Sequence, residues 1–275
     1  MKKQFLFTDL DLTLLTTGKT ISDEDLKAIK ELLDSGSFFA FVTGRPFEDT
    51  LPLAVNYGLE RKGVFIASFN GALISSFNGE SWDTIFKEPV SYEDTRFIFE
   101  EAEKKRVHCQ TYTKTHVLSL HDTDILRSYS DKKVIRPRVI EDLDLLMAEL
   151  PEPPMKVVCA ALNDRPKLER FRDHIEPMIS DRLFCLFSSD RLLEFGKHSA
   201  TKANALRFLA SHAGVDLFDT VAAGDEANDI SMIEAAGTGY AVNNARDEVK
   251  KAADRITKRD HDHSAIAEII REMME

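Results

Sequence analysis

Cysteine is scarce and odd in number: Cys109, Cys159 and Cys185 are the three in 275 residues, widely spaced and set among apolar neighbours. This excludes a disulfide framework and a Cys–His zinc spacing, and it reads as three reduced core thiols of a cytoplasmic protein. Long apolar runs are missing as well. None approaches the roughly 18 residues of a membrane span. The run after the basic start Met1-Lys2-Lys3-Gln4 is cut by Asp9 and Asp11, so no signal peptide is expected. Positive charge is in deficit, with 36 Lys and Arg against 47 Asp and Glu and a net charge of −11. A phosphate backbone would repel such a chain, which argues against broad binding to nucleic acid or an anionic membrane. A small anionic substrate stays open, because a local cationic site overcomes the global field at short range. There is no G-x-x-x-x-G-K-[ST] phosphate loop, and Gly237-Thr238-Gly239 has Val242 where a third dinucleotide glycine would stand. Neither an internal repeat nor a low-complexity linker interrupts the chain.

What is present suits a soluble globular protein, at 43% hydrophobic and 30% charged residues. The length allows one large or two modest domains. Continuous apolar runs at 5–8, 38–42 and 64–67 read as strands covered on both faces, as in a parallel sheet. Ser22 to Leu33 reads as a helix, capped by Ser22 and stopped by Gly36, and Pro46 suits the first turn of another. In the middle, a helix over 91–105 and strands at 107–112 and 116–120 precede a polar stretch, 121–138, that has no clear period. A helix at 140–150, a strand at 155–161, a helix at 164–176 and strands at 183–187 and 191–195 follow. The last third alternates again: helix 200–213, strand 219–223, helix 229–236, strand 239–242, then helices 246–254 and 264–274. The spacing predicts an α/β fold. A Rossmann-like parallel-sheet core is built from residues 1–84 and 192–275, with an α+β domain inserted over 85–191.

Ligands of an open parallel sheet bind beyond the carboxyl ends of its strands. After the first strand stands Asp9-Leu10-Asp11-Leu12-Thr13; after the second, Thr43-Gly44-Arg45; after the third, Asn70-Gly71; after the strand at 219–223, Gly224-Asp225-Glu226-Ala227-Asn228-Asp229. Each alone suits a turn or a helix cap. Together, in this order and each after an apolar strand, they point to metal-assisted attack by a carboxylate. Lys202 adds a local conflict: a cation in the first turn of helix 200–213 opposes the helix dipole at a cost of ~0.3–1 kcal/mol. Local rules tend to fail at functional sites. Taken alone Lys202 reads as reaching solvent, and beside the three other elements a phosphate-facing role is the preferred reading. His261-Asp262-His263 could suggest a metal, but a solvated loop before the last helix is the preferred reading.

On these residues the chain resembles the haloacid dehalogenase superfamily of phosphohydrolases, specifically the Cof-type group with a large α/β cap (subfamily IIB, cap type C2B). Asp9-Leu10-Asp11-Leu12-Thr13-Leu14 resembles the first motif, Thr43-Gly44-Arg45 the second, Lys202 the third and Gly224 through Asp229 the fourth. Phe69-Asn70-Gly71-Ala72 is similar to the segment before the cap. Gly237 through Asn244-Ala245, with Val249 and Ala253-Asp254, is similar to the usual ending. The chain departs from the group at Leu12, where Gly is usual, at Ala203, where Gly is common, and at Ser264, which replaces a frequent Gly.

The resemblance implies that Asp9 is a nucleophile forming an aspartyl phosphate and that Asp11 is the general acid and then the base. Thr43 and the Gly44 amide would hold phosphate oxygens, and Lys202 would neutralise the phosphoryl charge and orient Asp9. Asp225 would bind a metal together with the Asp9 side chain and the Asp11 carbonyl. Asp229 would support the metal shell or Lys202. Arg45, Asn70 and Asn228 would touch phosphate or substrate. An all-oxygen donor set suits octahedral Mg²⁺. Asp11 would need a raised pKa to deliver its proton, which carboxylate neighbours could provide.

The function expected is therefore a Mg²⁺-dependent phosphatase for a small phosphorylated metabolite, a sugar phosphate or a phosphorylated cofactor. A phosphosugar mutase and a non-catalytic sugar-phosphate sensor or phosphoacceptor switch are the alternatives. The inserted domain would close over the cleft, exclude water and supply specificity contacts, with Arg45, His116, His121, Arg136 and Arg138 as candidates. No nucleic-acid or membrane partner is expected. A monomer or weak dimer is the expected assembly.

Overall fold

The computed structural model describes residues 3–130 and 134–275. The basic opening Met1-Lys2 and residues 131–133 of the polar stretch lie outside the described residues. The chain divides into two compact units, Met1–Phe86 with Ala200–Glu275, and Lys87–Ser199. The expected return to the core at residue 192 falls elsewhere. Leu192–Lys197 is a strand paired with Val157–Ala160 and Leu183–Ser189, so its backbone hydrogen bonds hold it in the second unit.

In the first unit β1 (Phe5–Thr8), α1 (Asp23–Asp34), β2 (Phe38–Val42), α2 (Phe47–Asn56), β3 (Val64–Ser68), β4 (Leu73–Phe77) and β5 (Trp82–Lys87) come before the insertion. The second unit holds α3 (Tyr92–Lys105), β6 (His108–Tyr112), β7 (His116–Ser119), α4 (Asp124–Arg127), β8 (Arg136–Val139), α5 (Leu143–Ala148), β9 (Val157–Ala160), α6 (Arg165–Ile179), β10 (Leu183–Ser189) and β11 (Leu192–Lys197). The first unit resumes with α7 (Lys202–Ala213), β12 (Thr220–Gly224), α8 (Ile230–Ala235), β13 (Thr238–Ala241), α9 (Asp247–Ala252), β14 (Arg255–Ile256) and α10 (Ala265–Met274).

The first unit is built on an eight-stranded sheet ordered β14-β13-β12-β1-β2-β3-β4-β5. Its central strands are parallel, and β4 turns back antiparallel on β3. The apolar run of β1 explains its central place. Phe5 and Phe7 point to one face, where Leu206 and Leu209 of α7 and Met232 of α8 cover them. Leu6 points to the other, against Ile29 and Leu32 of α1 and Ile266 and Ile269 of α10. Alternate side chains of one strand thus serve two cores. Each such side chain is fully buried, worth about 1.5–3 kcal/mol apiece. Ser22 caps α1, and Pro46 stands at the N-cap of α2. Register does the rest: Thr8 lies opposite Ala223 and Phe41. The polar residues that follow β1, β2 and β12 therefore leave the sheet side by side.

The second unit is a six-stranded sheet, β10-β11-β9-β6-β7-β8, antiparallel except for the β7–β8 pair. Ile98, Phe99 and Ala102 of α3 and Leu168, Phe171 and Ile175 of α6 share its apolar core. All three cysteines are free and buried in that core. The stretch 121–138 contains α4, capped by Thr123, and the exposed strand β8. Neither element carries a hydrophobic period, because both are short and mostly exposed. Among the described residues no helix is long and apolar enough to cross a membrane.

Candidate active site

The carboxyl end of β1 delivers two aspartates to different surroundings. Asp9 is buried, its N–H bonded to the Ala223 carbonyl at 3.0 Å across the strand pair. Beside it, the ammonium of Lys202 donates to Asp9 Oδ1 at 2.6 Å and to Asp229 Oδ1 at 2.5 Å. Lys202 is 1% exposed, which removes the solvent-facing alternative. It opens α7 directly after the cap Thr201, whose hydroxyl accepts from Asn204 N–H. The misfit between its charge and the helix dipole is offset by two carboxylates at contact distance.

The loop after β12 supplies the rest of this floor. Asp229 turns back so that Oδ2 accepts from the Asp225 and Glu226 N–H groups at 3.0 and 3.1 Å. Gly224 makes room for that return, since a Cβ there would stand 2.4 Å from the Asp229 Cβ. Asp225 accepts a hydrogen bond from the Thr13 hydroxyl at 2.6 Å. One carboxylate oxygen from each of Asp9, Asp225 and Asp229 lies within 4.8 Å of the others, all three residues buried. Burial pushes Asp225 up to about 7, against the pull of Thr13 and with Asp229 adding to it. Burial also raises Asp9, opposed by Lys202 and reinforced by Asp229. Lys202 is held protonated: burial works against its charge, and the two aspartates outweigh that. Three carboxylates share one ammonium, and the excess of buried anionic oxygen is the donor set a hard divalent cation takes. The expected metal set is the Asp9 side chain, the Asp11 carbonyl and Asp225, with Asp229 in support; the side-chain carboxylates that converge are Asp9, Asp225 and Asp229.

Asp11 meets a different set of partners. Arg45 grips its carboxylate with two hydrogen bonds, Nε to Oδ2 at 2.7 Å and Nη2 to Oδ1 at 2.5 Å, and Lys19 Nζ adds a third at 2.7 Å. Partial burial pushes Asp11 up, but Arg45 and Lys19 outweigh it and bring it down to about 2. The expected raised value is overturned, because the groups at hydrogen-bond distance are cations and not the neighbouring carboxylates. Leu12, at φ +61°, occupies the left-handed region where the group usually has Gly. Its carbonyl is held by Asn244 Nδ2 at 2.7 Å.

The remaining candidates form a third cluster. Asn70 N–H donates to the Thr43 carbonyl at 2.8 Å, and the Thr43 hydroxyl accepts from Arg45 N–H at 3.1 Å. Gly44 packs against the Asn70 side chain, and Asn228 Nδ2 donates to Asn70 Oδ1 at 3.3 Å. Of the specificity candidates in the second unit, His121 meets Glu103 at 2.9 Å, Arg138 meets Glu149 at 2.8 and 3.0 Å, and His116 meets Thr115 at 2.8 Å. Arg136 is exposed on β8. Sequence reasoning gave no role to Thr13, Lys19 or Asn244. Thr13 lies within the first motif and Asn244 within the segment similar to the usual ending, whereas Lys19 reaches the site only through a turn.

Comparison with known proteins identifies the family. The family model of haloacid dehalogenase-like hydrolases matches residues 6–270. The chain is 27% identical to a 5-amino-6-(5-phospho-D-ribitylamino)uracil phosphatase of Bacillus subtilis, over 93% of this chain and 92% of that one. It is 26% identical to the pyridoxal phosphate phosphatase of Escherichia coli, over 98% of each. A crystal structure of a haloacid dehalogenase-like hydrolase from Bacteroides thetaiotaomicron superposes with a TM-score of 0.87 at 27% identity, covering 99% of this chain and all of that one.

Proposed function

The chain belongs to the haloacid dehalogenase-like hydrolases, and on that premise we propose that it is a phosphoric monoester hydrolase acting on a small phosphorylated metabolite through an aspartyl phosphate on Asp9. The observation that carries this reading is the buried floor, with one ammonium between Asp9 and Asp229 and a third carboxylate, Asp225, beside them. Asp9 attacks phosphorus. The bond to the ester oxygen breaks, and that oxygen takes a proton from Asp11 and leaves as the alcohol. Water then attacks the same phosphorus, gives its proton to Asp11, and releases phosphate and the Asp9 carboxylate. Splitting the reaction in two suits phosphate monoesters, which are among the slowest esters to hydrolyse unaided.

Lys202 takes up phosphoryl charge and orients Asp9. The Thr43 hydroxyl and Gly44 N–H hold phosphate oxygens, with Arg45, Asn70 and Asn228 reaching phosphate or substrate. The ionised Asp11 is the form that activates water. For the first step, a phosphate dianion draws Arg45 and Lys19 to its own oxygens and frees Asp11 to carry the proton. Magnesium held by Asp9, Asp225 and the Asp11 carbonyl, with Asp229 in support, would neutralise charge between an anionic nucleophile and an anionic phosphate. The relatives' names, one for a phosphorylated ribitylaminouracil and one for pyridoxal phosphate, support a phosphorylated cofactor or sugar as the substrate class.

The test is turnover of p-nitrophenyl phosphate and a panel of phosphorylated metabolites with Mg²⁺ present. Asp9→Asn loses more than about 10³-fold in kcat while circular dichroism stays unchanged. A variant that still turns over at the parent rate removes Asp9 as nucleophile and sinks the reading.

A further inference from the structure

The loop that carries Asp11 is tied down at two points by one distant turn, the His261-Asp262-His263 segment, whose residues by themselves suit a solvated loop. The structure shows a 3-10 turn over His261–His263, with the His261 side chain only 11% exposed. Asp262 grips Thr17 with both carboxylate oxygens: Thr17 N–H donates to Oδ1 at 2.7 Å and its hydroxyl to Oδ2 at 2.8 Å. His261 Nε2 lies 3.2 Å from the same hydroxyl. The second point is Leu12. His261 N–H donates to Asn244 Oδ1 at 3.1 Å, and Asn244 Nδ2 donates to the Leu12 carbonyl at 2.7 Å.

Between and beside these anchors the loop adopts backbone that it would not hold unaided. Leu12 and Lys19 both sit at positive φ, +61° and +59°. For side chains other than Gly, Asn or Asp, that region persists only where surrounding contacts over-determine it. Thr17 lies in the tight turn closed by the Lys19 N–H to Thr16 carbonyl bond at 2.8 Å, and Lys19 reaches back to Asp11. Ser264, next along the chain, adds a hydroxyl contact to Ser22 at 2.8 Å, fixing where the loop ends.

We propose that the His261–Asp262 turn is a clamp that sets the position of Asp11, making Asp262 a positioning residue for proton transfer to the leaving group. The proposal rests on the reading of Asp11 as that proton donor. The clamp acts through the backbone: Asp262 fixes Thr17, and Asn244, held by His261, fixes the Leu12 carbonyl next to Asp11, so the loop that carries Asp11 is pinned at both points whether or not Lys19 stays on its carboxylate. Asp9 leaves the sheet directly from β1 and is held by Ala223 and Lys202, so its place does not depend on the clamp.

This difference gives the experiment its discrimination. A p-nitrophenolate leaving group departs without a proton, whereas an alkoxide needs one. The measurement is kcat/KM for p-nitrophenyl phosphate and for a simple alkyl phosphate, in the full chain with Mg²⁺, alongside thermal melting. In Asp262→Ala the alkyl phosphate loses about tenfold more than p-nitrophenyl phosphate, a fraction of what general acid catalysis contributes. Asp262→Asn, which keeps an acceptor for the Thr17 N–H, recovers most of that difference. If the alanine variant melts below the assay temperature, Thr17→Val carries the same expectation, because it removes the hydroxyl held by Asp262 and His261. Equal loss on both substrates, no loss on either, or a selective loss that Asp262→Asn does not reduce overturns the proposal. A parent protein inactive on both esters sinks the phosphatase reading instead, so the two failures are distinct.

Discussion

Asp9 and Asp11 are two residues apart, and their surroundings are opposites. The floor around Asp9 holds three buried carboxylates and one ammonium. The rim around Asp11 holds one carboxylate, 40% exposed, gripped by a guanidinium and an ammonium. Burial and crowding raise Asp9 and Asp225, while the rim's cations lower Asp11 to about 2. The lesson is that one strand end can present both an anion-rich pocket that calls for a cation and a cation-rich edge that calls for an anion. A phosphoryl group with a divalent ion satisfies both.

The contrast breaks most severely at Lys202. Lys202→Met leaves three buried carboxylates without their ammonium, and kcat/KM should fall by about 10³-fold. Stability should fall by about 3–5 kcal/mol, the cost of breaking a buried pair, read from denaturant titration in EDTA. Metal addition sharpens the contrast next. A divalent ion at a hundred times its Kd should stabilise the parent by about 2.7 kcal/mol. Asp225→Asn should abolish most of that gain, whereas Arg45→Ala at the rim should keep it. Equal shifts in both variants would show that the ion binds elsewhere.

pH separates the two regions by sign. Asp225 binds its proton more tightly folded than unfolded, so the metal-free protein should lose stability as pH rises from about 4 to 7. The slope from this one group reaches about 1.4 kcal/mol per pH unit at most. Asp225→Asn should reduce that slope, with Asp9, raised by the same burial, keeping a share of it, and a parent whose melting temperature is level across this window would contradict the floor's electrostatics. Asp11 works in reverse: its contribution is present above about pH 4 and is lost as pH falls toward 2. The smallest effect belongs to the rim's stability. Lys19→Ala should cost no more than about 1 kcal/mol, as partly exposed pairs do. Its kcat/KM on a phosphate ester should still drop severalfold if the rim receives substrate.

Much of this was legible in the residues. Continuous apolar runs marked β1, β2 and β3, and the polar motifs after them marked one end of the sheet. Other elements escaped for physical reasons. β4 and β5 mix polar and apolar residues because they close the sheet's edge, where covering is incomplete. The helix expected over 140–150 is Leu143–Ala148, capped by Asp142, since a side-chain cap sets a helix start more sharply than hydrophobic period does. The raised pKa expected of Asp11 failed because proximity in sequence to acidic residues says nothing about which charge the carboxylate meets.

The sequence by itself determined which groups stand at the strand ends and in what order, because backbone periodicity and apolar burial are local and read directly from residue type. Only the tertiary structure decided the partners. Lys202 comes from 193 positions away to meet Asp9. Arg45 takes Asp11, and Asp262 reaches 245 positions back to Thr17. Those pairings depend on sheet register and on left-handed turns at Leu12 and Lys19. Such turns are held by contacts that exist only once the chain has closed on itself.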